Sequence, residues 1–278
     1  VEPGDYQVSL KGADQYVLAD ASDVAISVKE QLDYTVIDDI SFMIKSEAQV
    51  DASKEDTAIN EAELDSDGTE SNERLDDEDA LFGIDVSKWN KEIDWEKVAA
   101  SGVEFAVIRC GYRGASTGAL VEDPYFKKNI EGAQAAGIKV GIYFFTQAVN
   151  PVEAVEEASM VLALSGEYKL ALPIFIDTEG AGGNGRADGL DVETRTAVCE
   201  AFCRTIDNAG FNSGIYASKN WLEHNLSMSS LSDYTVWLAQ YSKSATYKGD
   251  YALWQYTSAG TVDGIGTRVD LNMCYMDY

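Results

Sequence analysis

Three apolar residues run directly into two carboxylates in Ile174-Phe175-Ile176-Asp177-Thr178-Glu179. A short run of β-branched and aromatic residues is the pattern of a buried strand. Side chains two apart on a strand point to the same side, so Asp177 and Glu179 are expected to face one pocket. Two close carboxylates resist ionising together. One keeps its proton to higher pH and can act as a general acid beside its charged neighbour. Acid-assisted cleavage of a glycosidic bond uses such a pair. The same run reads equally as an acidic turn, a helix cap or a calcium site.

Other carboxylates fall at comparable places. Asp85 lies between Ile84 and Val86, and Asp270 between Val269 and Leu271. A strand-interior Asp is costly unless it has partners or a task. For either one alone, a structural Asp bonded to backbone amides is the competing reading. Aromatic residues gather at the same strand ends: Tyr112, Tyr143, Phe145, Tyr216, Trp237, Tyr241, Trp254 and Tyr256. Sugar rings stack their CH faces on such rings, although about half of these aromatics are expected to be plain core.

The elements that must position these groups repeat from residue 81 onward. Apolar runs begin near residues 83, 105, 139, 173, 213, 235, 252 and 265. Helical patterns sit between the early ones, over 124–136 after Asp123-Pro124, over 151–165 after Asn150-Pro151, and over 191–208 before Gly210. Alternating strand and helix implies parallel βα units. The later gaps are too short for full crossover helices. The reading is an α/β fold, an irregular TIM-like barrel with five βα units and three closing strands. Active sites of such barrels lie at the C-terminal strand ends. Closure would make the first and last strands neighbours and bring Asp85 and Asp270 to the acidic pair.

Composition removes several alternatives. The 278 residues carry 48 acidic and 21 basic groups, a formal charge of −27. That field has the wrong sign for nucleic acid. No apolar run is long enough for a membrane span. The single histidine, His224, argues against a Ser-His-Asp triad and a His-based metal site, so no metal and no cofactor are expected. Cys110, Cys199, Cys203 and Cys274 match no zinc spacing and read as buried thiols. Gly180-Ala-Gly182-Gly-Asn-Gly185 matches the dinucleotide-binding pattern, but the helix expected near 191 opens too late for the glycines to cradle a phosphate. A flexible loop rimming the site is the reading preferred.

The N-terminal part differs from the rest. Residues 51–80 hold 13 acidic and 2 basic residues and no aromatic, and read as a flexible acidic linker. Residues 1–50 read as a small β-rich segment of unknown role, with strands suggested by alternation at Tyr6/Val8/Leu10, Val24/Ile26/Val28 and Ile40/Phe42/Ile44. The chain begins with Val, which reads as a processed or truncated chain that has lost its signal peptide. Residues 81–278 carry every candidate site residue.

At this point the chain resembles a known family. Phe82-Gly-Ile-Asp85-Val-Ser-Lys-Trp89, Asp177-Thr-Glu179, Trp237-Leu-Ala-Gln-Tyr241, Leu253-Trp-Gln255-Tyr256 and Val269-Asp270-Leu-Asn272 look like the family 25 glycoside hydrolases, lysozymes of the Chalaropsis type, over about residues 81–278. The resemblance implies a (β/α)5β3 barrel that hydrolyses the β-1,4 bond between N-acetylmuramic acid and N-acetylglucosamine in peptidoglycan, without a cofactor. It implies Glu179 as general acid. It implies Asp177 as the carboxylate stabilising an oxazolinium formed by the substrate's own 2-acetamido group, in preference to a direct nucleophile. Asp85, Asp270, Tyr143, Tyr216, Trp237 and Gln255 would then contact substrate. Phe144 stands where many members have His, a difference expected to alter a subsite contact but not the acid pair. The expected partner is the peptidoglycan glycan strand, met by a monomer outside the cell or at its wall. A barrel that binds peptidoglycan without cleaving it is the alternative. A peptidoglycan amidase or peptidase is disfavoured by the lack of metal-binding histidines and of a Cys-His pair.

Overall fold

The computed structural model describes residues 34–51, 55–56, 74–75, 77–166 and 168–276, all of which belong to one compact unit, Tyr34–Tyr278. Among the described residues ten strands form one sheet: β1 (Ile44–Lys45), β2 (Leu81–Val86), β3 (Phe105–Arg113), β4 (Leu120–Glu122), β5 (Lys139–Phe145), β6 (Ile174–Asp177), β7 (Ser213–Ser218), β8 (Thr235–Ala239), β9 (Leu253–Gly260) and β10 (Val269–Cys274). Eight of them close into a barrel in the order β2-β3-β5-β6-β7-β8-β9-β10. Neighbours pair in parallel from β2 round to β9. Strand β10 runs antiparallel to both β9 and β2. The expected irregular barrel is therefore present, and Asp270 faces Asp85 across the closing pair.

The helices follow their caps. Helices α1 (Trp95–Ala100), α2 (Phe126–Ala135), α3 (Pro151–Ser165), α4 (Val192–Asn208) and α5 (Lys219–His224) stand between strands. Asn150 accepts from the Glu153 amide with Pro151 in the first turn, and Asp191 accepts from the Thr194 amide; both satisfy donors that a helix start leaves open. Asp123, expected to cap α2, does not. That helix begins at Phe126 behind an uncapped Tyr125. Asp123 Oδ1 closes the preceding turn by accepting from the Tyr125 amide at 2.9 Å, and its Oδ2 accepts from Arg109 Nε at 2.8 Å and the Lys88 amide at 3.0 Å.

One face of each strand packs against the helices and the other fills the lumen. Ile84, Ile108, Ile142, Ile176, Ile215 and Leu238 belong to the outer layer. Phe105, Val107, Tyr143, Phe175, Tyr216, Trp237 and Leu253 fill the inside. Small residues make room for the inner rings. A Cβ on Gly83 would lie 2.4 Å from the Phe105 ring, and one on Gly214 would lie 2.4 Å from Phe175.

The N-terminal segment departs from its reading. Residues 34–50 belong with the barrel unit and form no separate β module. Over Ile40–Ile44 a 3-10 turn, Ser41–Met43, replaces most of the expected strand, and only Ile44–Lys45 pairs, with β4. Ile40 is buried whereas Phe42 is 71% exposed. Three alternating residues cover too little chain to separate a strand from a tight turn, and Ser41 bonds locally to Asp39 at 2.6 Å. The strands expected at Tyr6–Leu10 and Val24–Val28 lie outside the described residues, as does most of 51–80. Within 51–80, Glu55 and Asp56 are buried against the barrel, which a free linker would not show.

Candidate active site

Alternation along the strands sends Asp85, Arg109, Tyr143, Asp177, Tyr216 and Trp237 into one cleft, together with Glu179 and Asp270. Strand β6 ends at Asp177, so Glu179 lies two residues beyond it, half-buried where Asp177 is only 5% exposed. The pair is thus graded in depth, with Asp177 inside the barrel mouth and Glu179 nearer the open cleft.

Asp85 is held from behind. Its Oδ2 accepts from Gln255 Nε2 and Asn272 Nδ2, both at 2.8 Å. Gln255 Oε1 in turn accepts from the hydroxyls of Tyr216 at 2.8 Å and Tyr241 at 3.1 Å. Asn272 Oδ1 accepts from Trp237 Nε1 at 2.8 Å. Gln255 thus stands behind Asp85 and is not among the residues that line the cleft, so it supports Asp85 whether or not it also contacts substrate. Sequence gave its strand and face but not its depth. Trp237 sits amid Tyr143, Phe175 and Tyr216, ring centroids 5.9, 5.3 and 4.6 Å away in edge-to-face contacts.

Burial sets the electrostatics. It pushes the Asp85 carboxyl up to about 6, against the opposing pull of Gln255 and Asn272. It pushes Asp177 well above the usual carboxylate range. The Asp85 charge adds to that rise, and Arg109 opposes it. Asp177 Oδ1 is buried and makes no hydrogen bond. The sequence reading has Asp177 ionised, but in this structure its surroundings favour the proton, because its depth in the lumen removes water that would stabilise the charge. Arg109 shows the converse balance. Burial works against its charge, but the Asp123 and Asp56 carboxylates outweigh burial and hold it firmly protonated.

The cleft also has lining residues that were not among the expected site residues. Trp89, Asn90, Arg109, Ser258 and Arg268 line it. Arg109 carried a usable signal, since it interrupts an apolar strand just as Asp85 does. Trp89 stands four residues after Asp85, in the turn Lys88–Asn90, and is 48% exposed, a ring available for stacking. Phe144 does not face the cleft. It is buried in the outer layer, so the His-to-Phe difference leaves the cleft wall unaltered.

The glycine-rich loop after Glu179 is settled by its own hydrogen bonds. Asp188 accepts from the amides of Ala181 at 2.8 Å and Gly185 at 2.9 Å, the groups a phosphate would need, and α4 opens only at Val192. All four cysteines are buried free thiols. No helix among the described residues is long and apolar enough to cross a membrane.

A closed barrel with paired carboxylates at one strand end and aromatic walls defines a β/α-barrel of glycosidase type. The model of glycosyl hydrolases family 25 matches residues 84–265, and the chain belongs to that family. It is 27% identical over 194 residues to the autolytic lysozyme of Clostridium acetobutylicum, covering 69% of this chain and 55% of that protein. It is 27% identical over 208 residues to lysozyme M1 of Streptomyces globisporus, covering 70% and 68%. The modular autolysin LytC from Streptococcus pneumoniae, solved with a synthetic peptidoglycan ligand, superposes with a TM-score of 0.64 at 28% identity, over 72% of this chain and 48% of LytC. The chain thus spans about half the length of two of these three proteins.

Proposed function

We propose that this chain hydrolyses peptidoglycan as an N-acetylmuramidase, with Glu179 as general acid and Asp177 as the group that steadies the substrate's 2-acetamido nitrogen. The observation that carries the reading is Asp177, which lines the cleft and whose buried Oδ1 has no hydrogen-bond partner. Such an atom costs free energy until a donor arrives. The N–H of a bound 2-acetamido group supplies one. As the acetamido oxygen attacks the anomeric carbon, positive charge develops on that nitrogen, and Asp177 stabilises it in the fraction of the enzyme that has released to solvent the proton its burial favours. Glu179, at the outer position, delivers a proton to the departing oxygen. Asp85, Asp270, Tyr143, Tyr216 and Trp237 shape the wall, and Trp89 offers a sugar-stacking ring. The same reading has the enzyme secreted, acting on wall glycan as a monomer.

Digestion of purified peptidoglycan followed by end-group analysis tests this. New muramic acid reducing ends are expected. New free amines would mean a peptidase, and neither product would mean a binding protein. Glu179→Gln should lower kcat by roughly 10²–10⁴-fold, the usual contribution of general acid catalysis, with binding kept. A substrate whose leaving group needs no protonation should rescue Glu179→Gln and not Asp177→Asn. The opposite pattern would exchange the two roles.

A further inference from the structure

Arg109 lines the cleft with Lys88 beside it. Among the described residues, two of the three carboxylates that meet this cationic pair, Glu47 and Asp56, come from the segment before the barrel. Lys88 follows β2 and Arg109 lies on β3, both inside the region that matches the family. The barrel provides them one shared carboxylate, Asp123, on Arg109 Nε and the Lys88 amide. The outward fork of Arg109 is taken by Asp56, with Nη1 3.2 Å from Oδ1 and Nη2 2.9 Å from Oδ2. Lys88 Nζ lies 2.7 Å from the same carboxylate and also pairs with Glu47. Asp56 lines the cleft that holds Asp177 and Glu179. A two-pronged Arg contact reinforced by a Lys is the geometry with which proteins hold a ligand carboxylate.

The segment carrying Asp56 is fastened in two ways. Its first half is built in, with Ile40 buried and Ile44–Lys45 paired to β4. Its second half is held by polar contacts. Glu55 Oε2 accepts from the Ser116 and Thr117 amides at 3.1 and 3.0 Å, and its carbonyl accepts from the Ala115 amide. Buried contacts of this kind can be given up only to a ligand that replaces them in kind, as another carboxylate would.

We infer that the Lys88–Arg109 corner is a carboxylate-binding subsite of the cleft and that Asp56 is its tethered occupant, competing with the anionic groups of the glycan. The inference rests on the muramidase reading. Two substrate carboxylates share this chemistry, the lactyl group of a peptide-free muramic acid and the acidic groups of a stem peptide. Chitin oligosaccharides carry neither.

The test measures binding by calorimetry in the full chain, with Glu179→Gln present to stop turnover. The probes are a peptide-free muramyl tetrasaccharide, the same glycan bearing stem peptides, and chitotetraose. Asp56→Asn should tighten at least one muramyl glycan about tenfold and leave chitotetraose within about twofold. A gain confined to the peptide-free glycan assigns the lactyl carboxylate, and one confined to the peptide-bearing glycan assigns the stem. Glu55→Ala, which loosens the tether without touching the corner, should act in the same direction and covers the case in which Asp56→Asn fails to fold. An equal gain for chitotetraose overturns the inference, since Asp56 would then be a steric block. A loss of muramyl binding also overturns it, since Asp56 would then be a prop for Arg109. No change in binding, when the unaltered chain does release muramic acid ends, overturns Asp56 as competitor and leaves the hydrolase reading standing. If the unaltered chain releases no such ends and no muramyl glycan binds, the hydrolase reading fails and takes the subsite with it.

Discussion

At the residue scale the decisive relation is between Asp85 and Asp177. Both are buried, both are pushed up by that burial, and the charge of Asp85 pushes Asp177 further. Strongly interacting acids titrate as a pair. If ionised Asp177 is the productive form, activity falls on the acid side as that group takes its proton. Asp85→Asn removes the neighbouring charge and lets Asp177 ionise at lower pH. The acid limb of the kcat/KM profile should therefore move to lower pH, whatever happens to the height of the curve. A stationary limb, or one moved to higher pH, would show that another group sets it. The acidic motifs made this pair visible in the sequence, because carboxylates inside apolar strands are costly and therefore conspicuous. Depth was not visible. Period-two alternation says which face Gln255 occupies but not whether it reaches the wall or stands behind Asp85. It likewise says nothing about which of Asp177 and Glu179 loses more water.

At the element scale the barrel is narrow enough that facing residues must alternate in size. Gly214 on β7 lets the Phe175 ring lie against the strand. An added Cβ there would approach that ring to 2.4 Å and the Thr235 carbonyl of β8 to 2.7 Å. The ring can turn, but the neighbouring backbone cannot easily move. Gly214→Ala should therefore lower stability by about 1–3 kcal/mol, the usual range for overpacking, and thermal unfolding would show it. Activity should fall too, since Phe175 and Asp177 share one face of β6. Unchanged stability and activity would mean that the strands slide apart without cost. Strand positions were legible because each barrel strand is a short apolar run between polar segments. The barrel helices showed through Asn150-Pro151, Asp191 and the closing glycines. Strand β4, with three residues, and helices α1 and α5, with six each, are shorter than the periods that would reveal them. The N-terminal segment misled for a different reason. Its acidic composition predicts solvation, yet Glu55 and Asp56 find amides, an Arg and a Lys that lie far away in sequence.

At the scale of the whole molecule, the charge of −27 and the buried carboxylates act in the same direction. Asp85 is raised to about 6, Glu157 to about 7, and Asp177 well above its usual range, burial being the largest cause in each case. Unfolded, these groups titrate near pH 4. Between pH 4 and 7 the folded chain therefore binds more protons than the unfolded one, so stability falls as pH rises. This stabilisation is complete below about pH 4 and is lost as pH passes through the folded values. For Asp85 it amounts to roughly 2–3 kcal/mol. Self-repulsion of the excess acidic groups also grows over this range. Glu153 limits the trend at the acid end. Burial pulls it upward, but Arg186, the Val149 amide and Arg113 hold it below its usual value, so its contribution is lost as pH falls. Thermal stability should peak near pH 5 and decline towards pH 8. Added salt should reduce the part due to self-repulsion and leave the buried part, because salt screens exposed charges far better than buried ones. At high salt, Asp85→Asn should flatten the remaining decline by roughly 5–10 °C, given about 2–4 °C per kcal/mol for a domain of this size. A decline of unchanged slope in that variant would mean that Asp85 does not hold its proton in the folded chain, and the pairing argued for the active site would fail with it.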